Sequence, residues 1–131
     1  MLLDNFISLE SLLLLFFIIT YFISITEKIS TWKKTIFYYT NHFQNSILEK
    51  NVVQSVYFVI ILEILTLITL LIGYVNLLYF NTLIISIAGL TLSGFTLLVL
   101  LIGQRIAKDY VGATSITVYF ILNILALYFL T

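Results

Sequence analysis

The chain is divided into long apolar runs by a few short polar stretches, and the runs are too long to be strands. Residues 64–104, between Glu63 and Arg105, carry no charged side chain over 41 positions. As a single helix, this run would measure about 60 Å at about 1.5 Å per residue. That is twice the roughly 30 Å of a bilayer's hydrocarbon core, so the run crosses twice and turns between. The predicted turn is Asn76-Leu77-Leu78-Tyr79-Phe80-Asn81, where asparagines bracket aromatics suited to an interface. Residues 110–131 form a further uncharged run of 22, and Phe6 to Thr26 is apolar apart from Glu10 and a few hydroxyls. No run alternates with period two, which excludes a barrel. The pattern predicts an all-α polytopic membrane protein, one four-transmembrane-helix bundle over residues 1–131. Its spans are expected at about 6–26, 52–75, 82–103 and 112–130.

The long first loop has a pattern of its own. Ile29, Trp32, Ile36, Tyr39, Phe43 and Ile47 recur at spacings of three and four, on one helical face. Lys33, Lys34, Asn41 and Gln44 fall elsewhere, and Ser30 or Thr31 is placed to cap the start. This predicts an interfacial helix at about 31–44. Two readings stay open: the stripe lies on the inner leaflet with the lysines toward anionic headgroups, or it packs on the protein's own bundle. Ser46 and Glu49 have capping-box spacing, which would start the second helix near Ile47. In the third span, Ser86, Gly89 and Ser93 form a small-residue face suited to close helix packing, within the monomer or between copies.

Composition and charge narrow the class. The chain is 62% hydrophobic and only 9% charged, with a mean hydropathy of +1.17. An ordinary soluble domain is about half apolar and a quarter charged, so a soluble globule and a disordered chain are excluded. Six basic and six acidic residues cancel, leaving no field to draw in nucleic acid. All six basic residues fall in the first loop (Lys28, Lys33, Lys34, Lys50) and the third (Arg105, Lys108). By the positive-inside rule both loops are cytoplasmic and both termini outside. A cleaved signal peptide is not expected, since Asp4 stands where a basic region would be and no small-residue cleavage site follows.

Candidate chemistry is sparse. Glu63 lies near the middle of span two, where a carboxylate is costly and faces a bundle interior or a polar cavity. Counted from the cytoplasmic ends, Glu63, Asn123 and Ser93 all lie at a depth of roughly 15 Å. The three are therefore candidates for one polar cluster. Its role is either proton or ligand handling at Glu63, or a structural hydrogen bond that fixes helix register. Lys28, Arg105 and Asp109 form a second candidate group, at the cytoplasmic mouth. Arg105 and Asp109 have the i, i+4 spacing of a helical pair. The plainer reading of this group is a positive-inside anchor. Lys28 and Arg105 would reach Glu63 only with helix two shifted or the bundle hydrated. With no cysteine and one histidine, His42, no metal site, thiol centre or bis-axial haem is expected. No phosphate loop, zinc-protease motif or nucleophile elbow is present.

The segment Gly103-Gln104-Arg105-Ile106-Ala107-Lys108-Asp109-Tyr110-Val111-Gly112-Ala113, with Tyr119-Phe120-Ile121-Leu122 after it, resembles the G-x-R-x-A-x-D-Y-x-G-A block of the DoxX family. Glu63 resembles the family's span-two glutamate, Lys28 its basic residue after span one, and Trp32-Lys33 and His42-Phe43 its first-loop pattern. The family commonly has glycine where this chain reads Ser24-Ile25-Thr26-Glu27, and again where it has Thr66 and Thr69. The resemblance implies a small four-helix protein of the bacterial inner membrane, with relatives that serve redox or respiratory partners. The leading functional expectation is a non-catalytic accessory subunit of a larger membrane complex of respiratory or redox type. The alternative is a quinone-, small-molecule- or proton-handling protein built on Glu63. A self-contained enzyme is the least expected. The expected partners are the lipid bilayer and other membrane subunits, with no resident cofactor, although a quinone or lipid could bind.

Overall fold

A computed structural model describes residues 2–131. A short helix, α1 (Leu2–Phe6), leads into α2 (Leu9–Ser30), and α3 (Trp32–His42) follows. One 3-10 turn (Glu49–Asn51) then opens onto α4 (Val52–Phe80), α5 (Ile84–Ile106) and α6 (Tyr110–Leu130). There is no strand among the described residues. Four segments are long and apolar enough to cross a membrane: Leu9–Ser30, Glu49–Phe80, Ile84–Ile106 and Tyr110–Leu130. The chain is thus a helical multi-pass membrane protein with the expected number of spans.

The helix ends differ from the sequence expectation in informative ways. The turn expected at 76–81 is a three-residue link after Phe80, because nothing in Asn76–Phe80 breaks a helix. Asn81 stops α4 by adopting a left-handed conformation (φ 52°), and its N–H donates to the Asn76 carbonyl. Asn tolerates that conformation better than other side-chain-bearing residues. The Asn5 amide on α1 donates to the Leu77 carbonyl at 3.0 Å, satisfying another group at the same end. At the start of α4 the capping box does not form. Ser46 instead donates to the Phe43 carbonyl (2.6 Å) and accepts from the Leu48 N–H, so α4 begins at Val52 and not near Ile47. The first long helix runs to Ser30, four residues past the expected end at 26.

Packing centres on α4, which touches α1, α2, α3 and α5, while α6 packs mainly on α5. Leu14, Phe17, Leu70, Leu90 and Ala126 are completely or almost completely buried in the main core. The α4–α5 seam is built from small residues. Ser86, Gly89 and Ser93 are buried on α5, and Gly73 is buried on α4. A Cβ on Gly73 would lie 2.7 Å from the Ser86 backbone nitrogen, so the two backbones meet only because Gly73 has none. The small-residue face of span three is therefore used inside the monomer. Without a hydrophobic force between helices in lipid, close backbone packing of this kind carries the association.

The stripe on α3 also turns inward. Trp32, Ile36, Tyr39 and Phe43 pack on Val52, Val56, Ile60 and Ile64 of α4, with Ile106 and Ala107 nearby. Of the two readings of this stripe, packing on the bundle holds for these four residues, whereas Ile29 and Ile47 at its ends are exposed. Lys33, Lys34 and Phe37 lie on the exposed side.

Candidate functional site

A buried ion pair forms where α2 and α4 meet. Lys28 Nζ lies 2.8 Å from Glu63 Oε1, with side-chain exposures of 12% and 2%. Ser24 joins them: Lys28 donates to Ser24 Oγ at 2.7 Å, and Ser24 donates a shared bond to both Glu63 oxygens at 3.2 Å each. Lys28 and Ser24 are one helical turn apart. Helical side chains lean toward the N-terminus, so a lysine near the end of α2 leans into the bilayer and not out of it. Because α2 continues through Ser30, Lys28 is still within the helix and meets Glu63 without any shift of α4. From the sequence, Ser24 is named only as standing where the DoxX family commonly has glycine, and not as a candidate site residue. Its i−4 position relative to Lys28 was the available signal.

The other candidates are separate from this pair. Ser93 bonds Tyr21: the two hydroxyls are 2.7 Å apart, and Tyr21 also donates to the Ser93 carbonyl at 3.3 Å. Asn123 is buried and donates to the Leu90 carbonyl at 2.9 Å. Neither is hydrogen-bonded to Glu63, so Glu63, Asn123 and Ser93 sit at three positions in the core and not in one network. Thr66 and Thr96 add a further link between α4 and α5, with hydroxyls 3.0 Å apart. Bonds of this type across membrane helices contribute about 0.6–2 kcal/mol each.

At the mouth, Lys28 is committed to Glu63, and Arg105 and Asp109 diverge. α5 ends at Ile106, and Lys108 takes a left-handed conformation (φ 60°), so the i, i+4 geometry is lost. Arg105 is exposed over the Tyr110 ring, 5.4 Å from its centroid. Asp109 caps α6 by accepting from the Gly112 N–H at 2.9 Å. It also lies 3.6 Å from His42 Nε2, which is 2.9 Å from the Gln104 amide oxygen. A Cβ at Gly112 would come within 2.6 Å of Asp109 Oδ2 and 2.7 Å of Gln104 Nε2, so glycine leaves these two side chains their present positions. His42, Gln104 and Asp109 therefore tie the end of α3 to the α5–α6 turn. Among the described residues no cluster has the composition of a metal site.

Three spaces surround the Lys28–Glu63 pair. A polar vestibule of about 300 Å³ lies between α2 and α3, lined by Glu27, Lys28, Thr31 and Lys34. A more apolar cleft of about 410 Å³ runs between Tyr39, Phe43, α4 and the end of α5, with Lys28 in its wall. A groove of about 350 Å³ lies between α2 and α6 over Leu97 and Leu100 of α5, and Glu63 lines it. Burial pushes the Tyr39 hydroxyl above the usual tyrosine pKa, and the charge of Glu63 adds to the shift. Tyr39 thus stays a neutral hydroxyl beside the vestibule. The ion pair lies between a polar space and two more apolar ones. Compared with family models, with curated proteins and with solved structures, the chain has no significant match in any of the three.

Proposed function

We propose that the chain is a membrane-embedded small-molecule-handling protein whose polar anchor is the Lys28–Ser24–Glu63 group. The observation that carries this reading is the buried 2.8 Å ion pair with cavities on its flanks. A buried pair is a poor way to gain stability, because desolvating two charges offsets their attraction. Ionisable groups at membrane depth more often mark a ligand or proton path. The DoxX resemblance supports the same residues, since it rests partly on Lys28 and Glu63. An isoprenoid quinone, in its reduced and hydroxyl-bearing quinol form, is one molecule with the required apolar body and polar head.

The test is ligand-dependent stability in nanodiscs. A saturating amphiphile at about 100 times its Kd adds about 2.7 kcal/mol to the folded state. At least one class of lipid-soluble molecule is expected to raise the melting temperature of the native protein. The Lys28→Met/Glu63→Leu double variant should lose that response. Failure of every class, or an equal response in the double variant, overturns the reading.

The accessory-subunit reading would use an outer helix face such as that of α6, where Val118, Ile121, Leu125 and Phe129 are exposed to lipid or a partner alike. A constant set of membrane subunits co-eluting in mild detergent would give that face a partner.

We further place the protein in a bacterial inner membrane, with loops one and three cytoplasmic and both termini outside. The basic residues of those loops support this orientation. The native chain lacks cysteine, so single-cysteine variants report position cleanly. An impermeant maleimide should label Asn81→Cys and Thr131→Cys from outside and leave Lys108→Cys unreacted. The reverse pattern overturns the orientation.

A further inference from the structure

We propose that the groove between α2 and α6 binds a neutral amphiphile whose head is a hydrogen-bond donor, a hydroxyl or a phenol, with Glu63 as the acceptor. This rests on the small-molecule reading above and specifies its ligand. Three observations set the class.

The first is charge. Glu63 and Lys28 neutralise each other at 2.8 Å. A ligand carboxylate would meet the like charges of Glu63 and Glu27, both of which line the groove, and a ligand cation bonded to Glu63 would be brought up against Lys28, 2.8 Å from that carboxylate. A head without charge escapes both costs.

The second is donor and acceptor balance. An ionised carboxylate offers about four acceptor sites and no donor. Glu63 Oε1 accepts from Lys28 and from Ser24, while Oε2 has only its share of the Ser24 bond. Ser24 has its single proton committed to Glu63. Acceptor capacity is thus in surplus where Glu63 lines the groove, with Tyr119 of α6 as one phenol in the lining. Tyr21, which also lines it, is engaged with Ser93. A ketone or ether head would find no donor in Glu63, whereas a hydroxyl would find a charged acceptor.

The third is the body of the groove. Phe17, Leu97, Leu100 and Ile116 supply apolar walls over about 350 Å³. Thr20 and Ile23 line its edge from α2, and Ile23 is half exposed. The groove therefore opens to the lipid side, where an apolar tail can enter without passing through water.

The experiment uses the whole protein in nanodiscs and a matched pair of probes, 4-nonylphenol and 4-nonylanisole. They share the ring and tail and differ in the donor. Dodecanoate serves as the charged control. Loss of a hydrogen bond to a charged group corresponds to about tenfold or more in affinity. The phenol is expected to bind at least about tenfold more tightly than its methyl ether, with dodecanoate weaker than the phenol. Ile116→Trp, which fills the groove and leaves the ion pair in place, should abolish phenol binding. Equal affinity for phenol and ether overturns the ligand assignment while leaving a small-molecule site standing. Binding unaffected by Ile116→Trp overturns the groove as its location. Absence of binding by every amphiphile overturns both this inference and the reading beneath it. Mass spectrometry of the protein from native membranes identifies the source of the ligand. A resident hydroxyl-headed lipid displaced by the phenol, or an empty groove that takes the phenol up, both support the site.

Discussion

Replacing Lys28 with methionine is expected to cost about 3–5 kcal/mol of stability, because it leaves the Glu63 carboxylate buried without its cation. Methionine keeps the length and most of the apolar stem, so lost packing is a small part of the effect. Glu63→Leu should cost a similar amount by stranding the ammonium. The double variant Lys28→Met/Glu63→Leu should recover most of the loss, since replacing both partners of a buried pair with apolar groups is often neutral or stabilising. Reversible unfolding in mixed micelles gives the double-mutant cycle, and the coupling between two residues 2.8 Å apart should dominate it. Additive losses in the cycle would mean that the two charges are solvated independently. A stable double variant also makes functional tests possible, because it removes the chemistry and keeps the fold.

Gly73→Ala should destabilise the bundle by about 1–3 kcal/mol, although helix propensity alone favours alanine by about 1 kcal/mol. The new methyl carbon would sit 2.7–2.8 Å from the nitrogen, Cα and Oγ of Ser86. Two of those atoms are backbone and cannot rotate away, so α4 and α5 must separate along their small-residue seam. Gly103→Ala is the matched control, because its nearest neighbour is Phe43 Cζ at 3.8 Å, an ordinary contact. It should be neutral or slightly stabilising. Thermal unfolding of the two variants side by side checks the sign. An unchanged or higher melting temperature for Gly73→Ala would mean that the seam tolerates a wider spacing.

Much of the architecture was legible because membrane spans leave a coarse signature. The charge-free stretch between Glu63 and Arg105 admits only two crossings and a turn. The face of Ser86, Gly89 and Ser93 was visible for the same reason: small residues stand out in an apolar helix. Its partner Gly73 was not visible, since a lone glycine gives no register, and only the folded pair shows that it opposes Ser86. The helix ends were misjudged where local chemistry overrides hydropathy. A left-handed Asn81 stops α4 later than the apolar run suggested, and Ser46 bonds backward to Phe43 instead of capping forward. The site shows the same limit. Glu63 was evident from its depth, but Lys28 was assigned to the surface. Counting residues ignores both the extra turn of α2 and the inward lean of a side chain near a helix C-terminus. Ser24, Tyr21 and the α2–α6 groove depend on how the helices are rotated against one another, which hydropathy does not encode.

The closeness of Lys28 and Glu63 also governs how the site experiences an energised membrane. A single charge halfway across the hydrocarbon feels about half of the roughly 2.3 kcal/mol that 100 mV exerts on a full crossing, or about 1 kcal/mol. Two opposite charges 2.8 Å apart span at most about a tenth of a core roughly 30 Å thick. The voltage then acts on them only as a short dipole, with about 0.2 kcal/mol per 100 mV at most. The paired site is therefore nearly blind to membrane potential, and the ion pair should be equally well formed in energised and de-energised membranes.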